Sequence, residues 1–310
     1  MISVGHQGWD QIEKAKQILG SLAQVNVNLG VMTTYRVGGE AALYVKAHTE
    51  EDLHVTSRAW RESELPILAV GKGSNLLVSD SGFPGIAVAL GRDFEFEEIH
   101  AASGMVRVGG TVALPALARR CVAAGLSGFE WAVGIPGSIG GAVRMNAGGH
   151  GGDMQECVEK VKTFDLETSE CKTLTNQQLD FGYRQSAIKP EQFVLEASIR
   201  LGHGDKETRQ ALLDEIVQWR RDNQPGGQNA GSVFVNPTNE TSGELLDRLG
   251  LKGFRIGSAQ VSPKHANFVQ ADVHGSADDV DAVIRAVAER VHSETGIALR
   301  TEIHRVGFEV

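Results

Sequence analysis

The chain has 310 residues, 41% of them hydrophobic and 22% charged, with a formal net charge of −9; this suits about two domains and excludes an overall basic surface for nucleic acid. Its three cysteines are widely spaced and form no CxxC pair, which favours a reduced cytosolic protein without a cysteine-based metal cluster. No apolar run approaches the ~20 residues of a membrane span, and residues 1–17 lack the features of a signal peptide.

The first third of the chain contains both helical and strand-like patterns. Thr49 is placed to cap a helix, because its hydroxyl can accept a hydrogen bond from a first-turn N–H, and Asp52 makes that turn acidic. An apolar strand then runs directly into the glycine-bearing segment 71–80. The predicted elements are a helix over residues 10–20, strands at 41–45, 66–70 and 86–90, and a helix that begins at Glu50.

The middle of the chain surrounds a second glycine-rich segment, residues 134–149. Because proline is tolerated in a first helical turn, a helix is predicted from Pro115 to just before Gly125. Segment 201–206 is short, polar and glycine-bearing, and it is the best candidate for a domain boundary. Strands are predicted at residues 106–108, 158–165 and 193–201.

The C-terminal part contains the clearest predicted helix. Ser276 is placed to cap it, with Asp279 three residues on as a variant of the capping box. Residues 297–304 then alternate between apolar and polar types, which predicts a strand with Glu302 on its polar face between two bases. That pattern alone is more often a solvated strand face than a site. An earlier helix is predicted over residues 208–221.

The two glycine-rich segments could hold phosphate through backbone N–H groups, because glycine lets the backbone approach a ligand closely. Neither has a standard nucleotide fingerprint: Gly71-Lys72-Gly73 lacks the third glycine of GxGxxG, and no Gly-Lys-Ser/Thr follows at Walker A spacing. The Rossmann and P-loop interpretations therefore do not fit. On composition alone, a nucleotide cofactor and a structural glycine cluster remain equally open.

Several isolated polar side chains have more than one possible role. Arg184 could be a solvated surface charge, and Ser232, which follows a glycine, could be a displayed hydroxyl or a turn serine. No GxSxG motif surrounds Ser232, which disfavours a hydrolase nucleophile. His265 has no second ligand at i+3 or i+4, so we expect no metal site.

Taken in chain order, a series of motifs resembles the UDP-N-acetylenolpyruvoylglucosamine reductase family, in its shorter second type. Each motif alone has low specificity, but the set in this order is specific, and the resemblance spans residues 30–310. One departure is His150, a position at which relatives more often have tyrosine. The motifs lie at residues 33–39, 71–80, 134–149, 183–186, 230–237, 261–268 and 299–303.

The resemblance implies an α+β fold, in which an FAD-binding domain of the vanillyl-alcohol-oxidase-like (PCMH) type precedes a C-terminal α+β substrate-binding domain. It implies an FAD-binding domain over residues 31–202, with lobes at 31–92 and 93–202, and a substrate-binding domain over 203–310. Residues 1–30 lie outside the resemblance and are expected to form a helical segment.

The resemblance also implies an enzyme of bacterial peptidoglycan synthesis that reduces UDP-N-acetylglucosamine enolpyruvate to UDP-N-acetylmuramate with NADPH through non-covalently bound FAD. Hydride addition at C3 of the enolpyruvyl group leaves negative charge at C2 and its carboxylate, and a proton must then reach C2. The family motifs assign the cation to Arg184, a hydrogen-bonding acid to Glu302 and the proton donor to Ser232. We expect a cytoplasmic monomer with no nucleic-acid partner and no membrane insertion.

The same resemblance also implies which residues contact ligands. It assigns the glycine-rich loops to cofactor binding and three further side chains to substrate binding. The implied cofactor-binding residues are Tyr35, Gly71, Gly73, Ser74, Asn75, Leu76, Gly134, Ile135, Pro136, Gly137, Ser138, Gly140, Gly141, Asn146, Ala147 and Gly148. The implied substrate-binding residues are Tyr183, Asn236 and His265.

Two other functions remain open on the sequence. A flavoprotein oxidase of the same fold would need a different C-terminal half and often links its flavin covalently through a histidine, for which His150 is a candidate. A non-catalytic flavin- or nucleotide-binding protein would have no activity for Arg184 or Glu302 to support.

Overall fold

The computed structural model describes residues 6–308, and its first lobe is a four-stranded sheet covered by two helices. The elements of this lobe are α1 (His6–Leu19), β1 (Gln24–Asn28), β2 (Glu40–Ala47), α2 (Glu50–Ser63), β3 (Ile67–Ala69), β4 (Leu76–Val78) and β5 (Phe83–Leu90). The sheet order is β1-β2-β5-β3, with β1 antiparallel at one edge and the other strands parallel. Helix α1 buries Ile12, Ala15 and Leu19 in the core of this lobe.

The cap predicted for α2 is confirmed. The Thr49 hydroxyl accepts a hydrogen bond from the Asp52 N–H at 3.2 Å, and the Asp52 carboxylate accepts one from the Thr49 N–H at 3.0 Å. This reciprocal pair is a full capping box, which fixes the first residue of the helix. The strands predicted in this lobe are also confirmed, with ends that differ by a few residues.

The second lobe is a five-stranded antiparallel sheet with helices packed on it. Its elements are β6 (Glu97–His100), β7 (Met105–Gly109), α3 (Leu114–Ala123), β8 (Leu126–Ser127), α4 (Ile139–Arg144), β9 (Gly148–Gly149), β10 (Gly152–Asp153), α5 (Met154–Cys157), β11 (Val158–Asp165), β12 (Glu170–Thr175), β13 (Gln192–Arg200), β14 (Gly202–His203) and α6 (Lys206–Asn223). The sheet order is β12-β11-β13-β7-β6. The short helix α4 lies inside the glycine-rich run that the sequence presents as a loop.

The segment predicted as a domain boundary is built into the second lobe. Strand β14 pairs with β8, and α6 places Leu213 and Ile216 in the core of this lobe. The helix predicted over residues 208–221 is present and longer, because Asp205 caps it at its start. The packing supports a second lobe that ends at Asn223 rather than at residue 202, and we propose that limit.

The remaining residues form a C-terminal unit, in which a three-stranded sheet packs against the last helix. Its elements are α7 (Ser242–Arg248), β15 (Arg255–Ile256), β16 (Ala259–Val261), β17 (Val269–Ala271), α8 (Ala277–Thr295) and β18 (His304–Val306). The apolar side chains that repeat at helical spacing on α8, from Val280 to Val291, are buried. The predicted last helix is therefore confirmed.

The capping box predicted at the start of α8 is wrong in one half. The Ser276 hydroxyl accepts a hydrogen bond from the Asp279 N–H at 3.1 Å, as predicted. The Asp279 carboxylate does not return to the Ser276 N–H; it accepts from the N–H and the hydroxyl of Ser258, both at 2.7 Å. The Ser276 N–H donates instead to the Ser258 hydroxyl, so a neighbouring loop replaces the second half of the box.

The continuous strand predicted over residues 297–304 is also wrong. The chain there forms only an isolated bridge between Thr301 and Phe234, followed by β18, which pairs with β4 of the first lobe. Its two ends pair with different parts of the molecule, so no single ladder runs along it. The predicted alternation of burial holds at the end of the segment, where Ile303 is buried and His304 is exposed.

The first lobe and the C-terminal unit are joined by more than the β4–β18 pair. The Asp80 carboxylate accepts hydrogen bonds from the Ala277 N–H at 3.0 Å and the Asp278 N–H at 3.2 Å, at the start of α8. In return, the Asp278 carboxylate accepts from the Asp80 N–H at 3.2 Å. No helix between residues 6 and 308 is both long and apolar enough to span a membrane.

Candidate active site

A cleft of about 700 Å³ lies where the two lobes and the C-terminal unit meet. The loop after β3, the glycine-rich run of the second lobe and the segment around Glu302 all line it. A smaller cavity of about 140 Å³, here called the inner chamber, lies between the two lobes and shares Gly71, Ser138 and Arg144 with the cleft. The second glycine-rich run therefore borders an open cavity, as a ligand wall would.

The two glycine-rich loops face each other across this cleft. A Cβ atom at Gly71 would lie 2.8 Å from the Ser138 hydroxyl, and one at Gly137 would lie 3.3 Å from the Ser74 hydroxyl. Gly137 also has φ of +153°, at the edge of the region that favours glycine. Each close approach sets a glycine of one loop against a serine of the other, and the missing glycine side chain leaves room for the serine hydroxyl.

Both loops present backbone N–H groups that have no acceptor. Across residues 71–75, and at Gly137 and Ser138, no backbone N–H donates a hydrogen bond to another residue of the described chain. An N–H taken out of water is costly unless another group accepts its hydrogen bond. A cluster of such donors suits an anionic ligand, above all phosphate oxygens.

The charged side chains of the cleft are mostly basic, although the chain as a whole is acidic. Lys72, Arg144, Arg184, Arg220 and Arg305 line it, against a single carboxylate, that of Glu302. Such an excess of positive charge in a concave, partly dry site attracts anions.

Three of these cations have no acidic partner within 4.0 Å among residues 6–308: the exposed Lys72, and the partly buried Arg144 and Arg220. Burial lowers the pKa of both guanidinium groups, although arginine stays charged at any ordinary pH. A half-buried cation without a counter-ion is unfavourable, so both positions are suited to a bound anion. Arg144 lines the cleft and the inner chamber, whereas Arg220 lines the cleft alone.

Arg184 and Glu302 form an ion pair across the cleft. The Arg184 Nε donates to the Glu302 carboxylate at 2.7 Å, and its Nη2 donates to the Gly148 carbonyl at 2.9 Å. The Glu302 side chain is only 16% exposed, which contradicts the interpretation as a solvated strand face. Burial raises the pKa of the Glu302 carboxyl, and the nearby Arg184 opposes that shift.

Ser232 lies beside this pair because its segment runs next to the segment of Glu302. The Glu302 N–H donates to the Val233 carbonyl at 2.7 Å, and the bridge between Phe234 and Thr301 continues the pairing. Gly231 precedes Ser232 with φ of +78°, a backbone conformation that favours glycine. Ser232 lines the cleft, as Arg184 and Glu302 do.

Most of the residues predicted to bind the cofactor line the cleft or the inner chamber. Gly140 lines the inner chamber. The others line the larger cleft: Gly71, Gly73, Ser74, Asn75, Leu76, Gly134, Ile135, Pro136, Gly137, Ser138, Gly141, Ala147 and Gly148.

Two predicted cofactor-binding residues do not line either cavity. Tyr35 is completely buried in the core of the C-terminal unit, and burial raises the pKa of its hydroxyl. The Asn146 side chain donates to the carboxylate of Asp153 at 3.3 Å and to the carbonyl of Gly182 at 3.1 Å, and it accepts from the N–H of Gln155. Asn146 thus fixes the backbone before Arg184.

The three predicted substrate-binding residues also lie outside the cavity lining. Tyr183 is 55% exposed, and its ring lies 5.1 Å from the Arg184 guanidinium. The Asn236 side chain accepts from the Ser242 N–H at 2.9 Å. The His265 ring packs against Phe268, a residue of the cleft lining, and burial lowers its pKa. Their substrate contacts stay predictions.

Reasoning from the sequence missed Arg144 and Arg220. Arg144 had a usable signal, since it is the one charged residue in an otherwise apolar, glycine-rich run. Arg220 had no such signal in the sequence, because it is followed by a second arginine, Arg221. Only the fold shows that Arg220 lines the cleft and that Arg221 is exposed.

Sequence similarity to known proteins extends over nearly the whole chain. A family model described as the UDP-N-acetylenolpyruvoylglucosamine reductase C-terminal domain matches residues 223–306, and a model of an FAD binding domain matches residues 41–175. The UDP-N-acetylenolpyruvoylglucosamine reductase of Heliobacterium modesticaldum is 42% identical over 278 residues, which cover 89% of this chain and 88% of the relative. That of Synechococcus sp. (strain WH7803) is 41% identical over 302 residues, which cover 95% of this chain and 96% of the relative.

A solved structure gives the same result. The crystal structure of UDP-N-acetylenolpyruvylglucosamine reductase (MurB) from Thermus caldophilus matches with a TM-score of 0.79 and 34% identity, covering 92% of this chain and 99% of the other. An alignment over 95% of the chain must include part of residues 1–30. The expectation that residues 1–30 lie outside the resemblance is therefore wrong for part of them.

Proposed function

The chain belongs to the UDP-N-acetylenolpyruvoylglucosamine reductase family, and on that premise we propose that the cleft is its active site, with Arg184, Ser232 and Glu302 as catalytic residues. The chain is an FAD-dependent oxidoreductase that uses NADPH to reduce UDP-N-acetylglucosamine enolpyruvate to UDP-N-acetylmuramate, a peptidoglycan precursor. The observation that carries the assignment of residues is their convergence on one cavity from three distant parts of the chain.

The cleft is suited to FAD on its glycine-rich side. The N–H groups of residues 71–75, Gly137 and Ser138, which have no acceptor among the described residues, would donate hydrogen bonds to the diphosphate oxygens, and Arg144 would neutralise part of the diphosphate charge. A Cβ at Gly71 would crowd the Ser138 hydroxyl and narrow the space between the loops. When bound, FAD takes hydride from NADPH and supplies it to the enolpyruvyl group.

Arg184 is oriented to hold the carboxylate of the substrate. Its Nε and Nη2 atoms are engaged by Glu302 and Gly148, which fixes the plane of the guanidinium and leaves Nη1 without a partner among the described residues. Negative charge that develops at C2 and spreads into the carboxylate is stabilised by this fixed cation. Glu302, with its raised pKa, holds a proton more readily than an exposed glutamate and can donate a hydrogen bond to the same charge.

Ser232 is placed to deliver the proton to C2. A serine hydroxyl is a weak acid in water, so the site must stabilise the alkoxide that remains. The basic side chains that line the cleft, among them Arg184 and Arg220, provide a positive potential that favours the alkoxide. The sequence alone does not reveal this feature, because the cations come from separate segments.

Arg220 is suited to the diphosphate of the sugar nucleotide or of NADPH, the two ligands that must exchange. Its Nε donates to the Gln224 side chain at 2.8 Å, which orients the guanidinium without neutralising it. It lines the cleft but not the inner chamber, and burial together with the nearby Arg220 lowers the pKa of His150. We propose that Arg220 holds an exchanging ligand rather than FAD.

We further propose that the enzyme is a cytoplasmic monomer that binds FAD non-covalently. All three candidate catalytic residues lie in one cleft of a single chain, so catalysis does not require a second copy. Acid precipitation tests the mode of binding: release of free flavin would support non-covalent FAD and would argue against a covalent link to His150. Light scattering after gel filtration measures the oligomeric state.

Ser232→Ala tests the proposed function most directly. We expect reduction of the flavin by NADPH to stay within twofold of the wild type, while reoxidation by the enolpyruvyl substrate falls about 10²-fold or more, because only the second step needs the proton donor. Rapid mixing with the flavin absorbance as readout follows both steps. Ser293→Ala, at an exposed position on α8, is the control.

Two outcomes would contradict this assignment. Loss of both half-reactions would mean that Ser232 has a structural role, and normal reoxidation would mean that the proton comes from another group. A purified protein that cannot be loaded with FAD would contradict the assignment of the glycine-rich wall as well.

A further inference from the structure

One residue of the first glycine-rich loop is bonded directly to the segment that carries Glu302. The Asn75 side-chain amide donates to the Glu302 carbonyl at 3.2 Å. The Asn75 carbonyl accepts from the His304 N–H at 2.8 Å. Asn75 thus bonds on both sides of Ile303, while it also lines the cleft and its own N–H has no acceptor in the described chain.

The other bonds of Glu302 go to different parts of the molecule. Its N–H donates to the Val233 carbonyl in the C-terminal unit, and its carboxylate accepts from Arg184 in the second lobe. The ladder between β18 and β4 starts only at His304. Among the described residues, the Asn75 side chain therefore provides the hydrogen bond that joins the first lobe to Glu302 itself.

We propose that Asn75 is a positioning residue, which holds the Glu302 carboxylate in place from the cofactor-binding loop. This inference rests on the proposed role of Glu302. A loop that grips the cofactor through residues 71–75 fixes Asn75, and Asn75 fixes the backbone from which the Glu302 side chain extends. The cofactor cradle and the acid are then held at a constant separation, which a hydride-accepting site requires because small displacements of a reacting group slow the reaction strongly.

A residue that only helped to bind FAD would behave differently. Its loss would weaken cofactor binding and slow both half-reactions together. A positioning residue acts on the half-reaction that uses Glu302 and leaves reduction of the flavin by NADPH unchanged. It also has no effect of its own once the Glu302 carboxyl is gone, because the two act through one group.

The experiment uses holoenzyme saturated with FAD. We expect Asn75→Ala to slow reoxidation by the enolpyruvyl substrate about tenfold or more, with reduction by NADPH within twofold of the wild type. Ser74→Ala is the comparison for a defect of the cradle, since the Ser74 hydroxyl faces Gly137 and makes no bond to the segment of Glu302. Equal slowing of both half-reactions, or the same selective defect in Ser74→Ala, would overturn the proposal.

The double variant Asn75→Ala, Glu302→Gln separates this inference from the proposed function. If Asn75 acts through Glu302, the double variant reoxidises at the rate of Glu302→Gln alone; a further tenfold loss rejects the inference. Normal reoxidation in Glu302→Gln would instead reject the proposed role of Glu302. If Asn75→Ala does not retain FAD, Asn75→Asp, which keeps the size and removes the amide donor, is subject to the same two criteria.

Discussion

The cleft has two walls built on different principles. The wall that we propose binds FAD, here called the cofactor wall, is formed by residues 71–76 and 134–149 and uses backbone N–H groups and the absence of side chains. The wall that we propose carries the reaction, here called the reaction wall, uses the side chains of Arg184, Arg220, Ser232 and Glu302, which come from separate segments of the second lobe and the C-terminal unit. The cofactor wall is therefore sensitive to an added side chain, whereas the reaction wall is sensitive to the loss of a functional group.

This difference has a consequence for mutational tests. A change in the cofactor wall should alter how much FAD the protein holds, and every later step should follow the FAD content. A change in the reaction wall should leave FAD in place and alter one half-reaction. Measuring FAD content and the two half-reactions separately therefore assigns a variant to one wall.

The strongest effect on the reaction wall is expected for Arg184→Ala. Removal of the guanidinium takes away the hydrogen-bond partner that orients Glu302 and the cation for the developing charge. We expect reoxidation by the substrate to slow by about 10³-fold at full FAD content. An equal loss in the reduction by NADPH would place Arg184 outside the reaction wall.

On the cofactor wall, the critical position for an added atom is Gly73. Gly73 has φ of +63°, and a Cβ there would overlap the Met32 carbonyl oxygen. Gly73→Ala is therefore expected to lower stability by about 2 kcal/mol or more and to yield protein with little FAD. Gly226→Ala, where no atom lies within 4 Å and φ is not positive, is the matched control. Full FAD content in Gly73→Ala would show that the loop tolerates a different path.

A smaller effect is expected for Arg220→Gln, measured against Arg221→Gln. Loss of a charge-assisted contact of about 1.5 kcal/mol corresponds to about a tenfold rise in KM for the ligand whose phosphate Arg220 holds. A rise for NADPH and for the sugar nucleotide alike indicates a shared diphosphate contact, and a rise for one assigns Arg220 to that ligand. Arg221 is exposed and outside the cleft lining, so its variant should match the wild type. Loss of FAD in Arg220→Gln would move this residue to the cofactor wall.

The mildest effect is a shift in pH dependence. Burial raises the pKa of Glu302 and Arg184 opposes the shift. The protonated carboxyl is the proposed hydrogen-bond donor, so reoxidation should slow as the pH rises through this raised pKa, and the decline should be missing in Glu302→Gln. Rapid-mixing rates over a pH series test this, and the same decline in both proteins would exclude Glu302 as its cause.

The elements predicted correctly are those whose determinants lie close together in the chain. Helix α8 follows from one apolar stripe, and the start of α2 follows from the Thr49 and Asp52 pair three residues apart. The segment 297–304 could not be predicted in the same way, because its two ends pair with Phe234 and β4, and nothing local encodes that change of partner.

The sequence also predicted part of the candidate site. The glycine-rich loops and the three catalytic candidates were assigned through a resemblance in motif order, and the structure brings them to one cavity. Arg144 and Arg220 were missed because only the fold shows that neither has an acidic partner within 4.0 Å in the part of the chain that the structure describes. The placement of α6 was missed because its partners, such as Leu117, are distant in the chain.

The carboxylate of Asp80 accepts hydrogen bonds from the N–H groups of Ala277 and Asp278, almost two hundred residues later in the chain. During synthesis the cap therefore exists long before the helix that it completes, and α8 emerges last but for the final segment. A chimera that takes its C-terminal unit from a relative would have to match residue 80 to the new helix, since otherwise the first turn of α8 would lose acceptors for its N–H groups.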